Sequence, residues 1–204
     1  MPNWCSNTIE ITGPKSAISN LWEQAQANNG LLAALRPEPD YSATPVAEAF
    51  PEVSAQYAKT ESEREAALKN EPTIREDSWW DWRVQNWGSK WDVDLDGVEF
   101  VDNGDGSASI VGSFDSAWSP PTEAVAHFFQ QSEDLGVDLH MDLMYYEPGM
   151  AFAGRWTNGF EEEYDISSAT ADSVRDEVGA DIDDAFAISE FMADMEAAEA
   201  WDED

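Results

Sequence analysis

The sequence predicts an α+β fold: one sheet laid down in the order β-α-β-β-α-β, followed by an added hairpin and an acidic helical end. Three observations carry this. Apolar and polar residues alternate over residues 8–12, 91–96, 108–114 and 137–145, the period of a strand with one buried face. Helical spacing of apolar residues over 15–27 and 120–132 separates those alternations in the right places. The chain of 204 residues is 42% apolar and carries 10 Trp, so it has a core to bury despite a formal net charge of −33. A disordered acidic chain is poor in aromatics.

Thr8-Ile9-Glu10-Ile11-Thr12 reads as the first strand, ended by Gly13-Pro14. Ile18, Leu21, Trp22 and Ala25 give the first helix its apolar face, and Asn28-Asn29-Gly30 stops it. Residues 31–51, rich in Pro, Ala, Ser and Thr, read as loop; residues 54–70, rich in Ala, Glu and Lys, read as one exposed helix. The Trp-dense stretch 77–88 predicts a short helix or turn locked on the core. Trp91-Asp92-Val93-Asp94-Leu95-Asp96 predicts the second strand, and Asp102-Asn103-Gly104-Asp105-Gly106 a hairpin turn. Ala108, Ile110, Gly112 and Phe114 mark the returning strand. Pro120-Pro121 opens a helix through Val125, Phe128, Phe129 and Ser132. Val137, Leu139, Met141, Leu143 and Tyr145 mark the last core strand.

Residues 150–156 and 160–166 flank Asn158-Gly159 as a further hairpin. Residues 170–178 read as helical. Over 181–201, Ile182, Ala185, Phe186, Ile188, Met192 and Met195 recur near helical spacing, predicting one long helix. The order matches a ferredoxin-like split βαβ plan. It places a domain at 1–166, with an insertion at about 31–75, and an acidic helical extension at 167–204.

Four stretches resemble a known family. They are Met1-Pro2-Asn3-Trp4-Cys5-Ser6-Asn7 with Gly13-Pro14 following, Trp87-Gly88-Ser89-Lys90-Trp91-Asp92, Phe114-Asp115-Ser116-Ala117-Trp118-Ser119-Pro120-Pro121, and Tyr146-Glu147-Pro148-Gly149-Met150-Ala151-Phe152-Ala153-Gly154. In this order they resemble the YubB-like family of plasmid and phage accessory proteins, over roughly residues 1–166. The resemblance implies a ferredoxin-like domain and a mobile-element origin. It implies no catalytic residue, because the family's function is unassigned. Read as residues, Trp4, Trp87, Trp91 and Trp118 are expected to anchor chain reversals, each burying about 150–250 Å². A pocket formed by several of these Trp is the alternative.

Charge is uneven. Residues 1–88 hold 13 acids and 7 bases, whereas residues 89–204 hold 30 acids and only Lys90, Arg155 and Arg175. Such a surface does not favour phosphate backbones or anionic membranes. One Cys provides no internal disulfide framework. No long apolar run and no signal pattern at the N-terminus are present, so a soluble protein of the host cytoplasm is expected. No catalytic motif stands out, and no enzyme activity, cofactor or metal site is expected. Asp92 to Gly97 opens like a calcium-binding loop, but the twelfth position, which needs Glu, is Asn103; a strand there also would not wrap its carboxylates around an ion. His127, His140 and Cys5 lack ligand spacing, and Cys5 reads as a small buried hydrophobe.

The acids do suggest a mechanism. If the apolar sides of 91–96 and 137–145 meet the helices, Asp92, Asp94 and Asp96, with Asp138 and Asp142, fall on the open face of the sheet. Acids two apart on a strand lie about 6.6–6.8 Å apart, the scale of neighbouring phosphates. With Asp181, Asp184 and Asp194 continuing the row on the C-terminal helix, the surface would mimic nucleic acid. The expected partner is a basic host protein with a nucleic-acid-binding groove, of restriction, CRISPR or nuclease type, inhibited without catalysis and without direct contact to nucleic acid or membrane. A salt-adapted module, a Ca²⁺- or Mg²⁺-binding accessory protein and a phage assembly component are the rival readings.

Overall fold

The computed structural model describes residues 3–202; Met1, Pro2, Glu203 and Asp204 lie outside the described residues. The chain is an α+β protein with a six-stranded, antiparallel open sheet and nine helices among the described residues. The strands are β1 (Trp4–Pro14), β2 (Val98–Asp102), β3 (Ser107–Ala117), β4 (His140–Glu147), β5 (Phe152–Thr157) and β6 (Phe160–Asp165), in spatial order β2-β3-β1-β4-β5-β6. β1 is central: Ile9 faces Gly112 of β3 and Leu143 of β4. The hairpin predicted at 102–106 joins β2 to β3, and the one predicted at Asn158-Gly159 joins β5 to β6.

The main core lies on one sheet face. Ile9, Ile11, Ile110, Met141 and Leu143 project there because residues two apart share a face. Helices α1 (Lys15–Asn28), α2 (Leu32–Leu35), α5 (Trp79–Trp87) and α6 (Thr122–Asp134) cover them with Ile18, Leu21, Leu32, Leu35, Trp87 and Val125. Asn29, in the left-handed conformation at φ 52°, ends α1 as its sequence signalled. The loop expected from residue 31 instead begins as core: Leu31, Leu32 and Leu35 are fully buried. The single helix expected over 54–70 is two, α3 (Pro51–Tyr57) and α4 (Glu61–Lys69), because Thr60 starts a new helix with a capping box to Glu63.

The strand expected at 91–96 does not form; β2 begins at Val98. The Asp92 carboxylate accepts hydrogen bonds from the N–H groups of Leu32 (2.7 Å), Ala33 (3.1 Å) and Val93 (2.8 Å). Asp94 accepts from the Asp96 N–H at 3.1 Å. These side-chain bonds replace a ladder and hold 91–96 as loop. Val93 is still buried and Leu95 packs on the core, so the apolar alternation was real while the strand was not. The calcium argument from a strand falls with it: Asp92 is occupied as the cap of α2.

The second sheet face is partly covered. Helices α7 (Val174–Val178), α8 (Ala180–Phe186) and α9 (Ile188–Asp202) place Val174, Val178, Ile182 and Ile188 over Tyr146 and Ala153. The single helix expected over 181–201 breaks at Ala187, which is left-handed at φ 51°. Asp183 fixes that break. It is 2% exposed and accepts from the Ser189 N–H (2.7 Å), the Ser189 hydroxyl (2.9 Å) and Arg175 (2.7 Å). β1 and β3 present Ser6, Thr8, Ser113 and Asp115 in a cleft beside Ala185 and Phe186 at the end of α8, with Thr12 and Ser109 in register further along.

Candidate functional site

The four motif stretches converge on one end of the sheet, apart from Gly13-Pro14 at the far end of β1 and from Met1 and Pro2 outside the described residues. Trp4 begins β1 opposite Ala117, which ends β3, while β4 ends and β5 begins beside them. The Trp118 N–H donates to the Asn3 carbonyl at 3.0 Å, and the Ala117 N–H to the Ser89 hydroxyl at 3.2 Å. The Ser119 hydroxyl donates to the Gly88 carbonyl, and Glu147, buried, accepts the Met150 N–H. Gly88 is required: at φ +80°, a Cβ there would stand 2.7 Å from the Pro120 carbonyl. Asn7 ties the first motif to the third, donating to Ser116 Oγ at 2.9 Å.

The four Trp do not share one role. Trp87 is fully buried and donates its indole N–H to the Arg36 carbonyl at 2.8 Å, as an anchor should. Trp4, Trp91 and Trp118 are 48%, 37% and 46% exposed, so the expected burial fails for them. Trp4 and Trp91 lie 6.1 Å apart between ring centroids, and Lys90 Nζ sits 4.7 Å from the Trp91 centroid. Trp118 adopts φ 74°, a conformation that costs a bulky residue about 1–3 kcal/mol. The surrounding hydrogen bonds hold it there with its ring half outside the core.

Trp118, Trp80, Phe50, Val84, Met150 and Lys90 line a groove of about 590 Å³. Phe50 and Trp80 pack 5.8 Å apart. Trp density at 77–91 signalled this region. Phe50, from the insertion, and Met150, from the β4–β5 turn, come to it only through the fold.

The predicted acidic residues separate into two sets. Asp92 is the α2 cap, and burial pushes its carboxyl above the usual range although three N–H donors oppose that. Asp142 is buried on the second sheet face and accepts from Arg155 Nε at 2.6 Å, while Arg155 also reaches Asp181 at 3.3 Å. Asp184 pairs with Arg175. Asp94, Asp96, Asp138 and Asp194 are exposed. The continuous open row of Asp92, Asp94, Asp96, Asp138 and Asp142 is therefore not formed: 91–96 is loop, Asp138 precedes β4, and Asp142 is neutralised beneath the C-terminal helices.

Cys5 is fully buried, and burial, with the nearby Glu147 charge, pushes its thiol up to about 12, which leaves no thiolate at neutral pH. Burial and the Arg36 charge lower His127, and His140 meets the Asn158 amide at 2.9 Å. No group of three or more metal-ligating side chains occurs among the described residues, and no helix among them is long and apolar enough to cross a membrane.

No family model matches the sequence, and no curated protein is similar to it at a significant level. Among solved structures, the chain is similar to the crystal structure of protein api92 from Yersinia pseudotuberculosis, described under the family model DUF1281. The identity is 14%, the match covers 80% of this chain and 98% of that one, and the TM-score is 0.38, a likeness too slight to carry an argument.

Proposed function

We propose that this chain is a non-enzymatic accessory protein of a plasmid or phage, of the YubB-like kind, acting in the host cytoplasm. Its acidic surface occupies the basic groove of a host nucleic-acid-binding defence protein of restriction, CRISPR or nuclease type and keeps nucleic acid out. Its core is read as ferredoxin-like, a reading supported by the β2-β3-β1-β4 order with α1 and α6 on one face.

One observation carries the functional reading. Of the three bases after Gly88, Arg155 and Arg175 are both engaged by carboxylates of the chain itself. Asp94, Asp96, Asp138 and Asp194, together with Glu162 and Glu163 on the edge strand β6, stay exposed and uncompensated by an ion pair among the described residues. A field of one sign steers a basic partner and makes its binding salt-sensitive.

The test is capture of host proteins on the immobilised chain, with elution by duplex DNA or RNA and, separately, by salt. A defined nucleic-acid-binding protein released by nucleic acid is the expected result. Retention of scattered ribosomal proteins alone, together with folding that recovers only in molar salt, would replace this reading with that of a salt-adapted surface.

A further inference from the structure

We propose that the groove between Trp80 and Trp118 binds an aromatic carboxylate, its ring system against Trp80, Trp118 and Phe50 and its carboxylate on the Lys90 ammonium. The groove's volume of about 590 Å³ falls within the ~300–1,000 Å³ of clefts that hold small ligands. Its wall is largely apolar, and Lys90 is the only charged side chain that lines it among the described residues.

That composition stands out against a chain of 43 acids and 10 bases. The cleft beside Trp4 is lined by Asp94 and Asp115, and the one under Phe186 by Asp115. The cleft beside Met192 carries Glu196, and the cleft within the insertion carries Glu48, Glu63 and Glu71 with Arg75, which pairs with Glu48. The Trp80–Trp118 groove has no carboxylate in its lining among the described residues. A concave apolar wall with one ammonium and no carboxylate disfavours a cation and favours an anion with an apolar body.

Lys90 lines the groove and makes no ion pair among the described residues. Its Nζ rests 4.7 Å from the centroid of Trp91, which is outside the lining, so the long side chain must swing its ammonium from that ring to meet a carboxylate in the groove. Arg155 and Arg175, by contrast, are taken up internally. Trp118 supplies the second feature: its left-handed backbone holds a large ring at the groove, half exposed. Conformations of this kind persist where surrounding structure enforces them and recur at ligand clamps. The proposal stands apart from the acidic-surface reading, since small acids test it without any macromolecular partner.

The same chemistry is offered by a free aromatic acid and by the C-terminal residue of a peptide ending in Trp. Calorimetric titration of the full chain with naphthoate, naphthylmethanol and naphthylmethylamine separates charge from ring. Naphthoate is expected to bind about tenfold more tightly than the alcohol, the scale of one charge-assisted hydrogen bond, and the amine more weakly than either. Lys90→Gln should bring naphthoate to the affinity of the alcohol and leave the alcohol unchanged, whereas Lys15→Gln, remote and paired with Asp102, should change neither. Trp118→Phe should weaken both ligands alike.

A tripeptide acetyl-Ala-Ala-Trp that outcompetes naphthoate, and loses its binding on C-terminal amidation, identifies a peptide end as the source. The reverse order identifies a free acid, and both results support the site. Equal binding of the three naphthalenes, preference for the amine, equal loss in the Lys15 and Lys90 variants, or no heat with any ligand at millimolar concentration would overturn it.

Discussion

On one face of the sheet, Trp87, Ile110, Met141 and Leu143 pack under α1, α2, α5 and α6 in a large apolar cluster. On the other, a smaller cluster around Tyr146, Ala153 and Ile182 packs under α7–α9, with Asp142 and Asp183 buried beside it. The first face is closed by apolar residues at the right period, with one carboxylate, Asp92, capping α2. The second depends on carboxylates held by Arg155, Arg175 and Ser189 within its buried layer. In so acidic a chain, the same residue type therefore does two jobs, and placement decides which. Asp142 and Asp183 secure structure, while Asp94 and Asp138 face solvent.

Substitutions separate the two faces. Trp87→Ala removes a fully buried ring and should cost about 3–5 kcal/mol, read as a large fall in the urea midpoint. Asp183→Ala leaves the Ser189 N–H and Arg175 without their acceptor and should cost about 2–3 kcal/mol. Hydrogen exchange should then rise in α7–α9 before it rises in β1 and β3; uniform loss across both faces would merge them into one cooperative unit.

Acid should discriminate further. Burial acts to raise the Asp183 carboxyl, but the Ser189 N–H and the Arg175 guanidinium outweigh it and hold the group below the usual carboxylate range. Its stabilisation is thus fully present above the unfolded value of about 3.9 and is lost as pH falls through the lower folded value. The gap in stability between the native chain and Asp183→Asn should close at the acid end. Asp92 has the opposite sign: its raised carboxyl binds a proton more readily when folded, so falling pH favours the fold at this site. Asp92→Ala should cost about 1–2 kcal/mol, the scale of a lost helix cap. The smallest effects belong to Asp94→Asn and Asp138→Asn, which should stay within about 0.5 kcal/mol of the native chain in thermal melts.

Much of the first face was legible in the sequence. Ile9 and Ile11, the turn at 102–106, and the hairpin at Asn158-Gly159 carry local signals, and local periodicity or turn chemistry settled them. Residues 91–96 misled because Val93 and Leu95 do face the core, while Asp92 bonds to Leu32 and Ala33 some sixty residues earlier. No window around Asp92 contains that partner. The break at Ala187 was hidden for a related reason: apolar spacing continues across it, and only the buried Asp183–Ser189 pair ends one helix and starts the next. Trp density at the motif end was visible, but which Trp would be buried was not. Trp87 points into the core from α5, while Trp118 is held outward by a backbone conformation that sequence does not display.

The central claim is that the exposed acids, and not the buried ones, face a basic partner. The most direct measurement is the affinity of a captured nucleic-acid-binding protein for the native chain and for the variant Asp94→Asn, Asp96→Asn, Asp138→Asn, Asp194→Asn, across a series of salt concentrations. Binding to the native chain should weaken steeply with salt, and the variant should bind more weakly with a shallower dependence and an unchanged melting temperature. Equal affinity and equal salt dependence for the two chains would contradict the account.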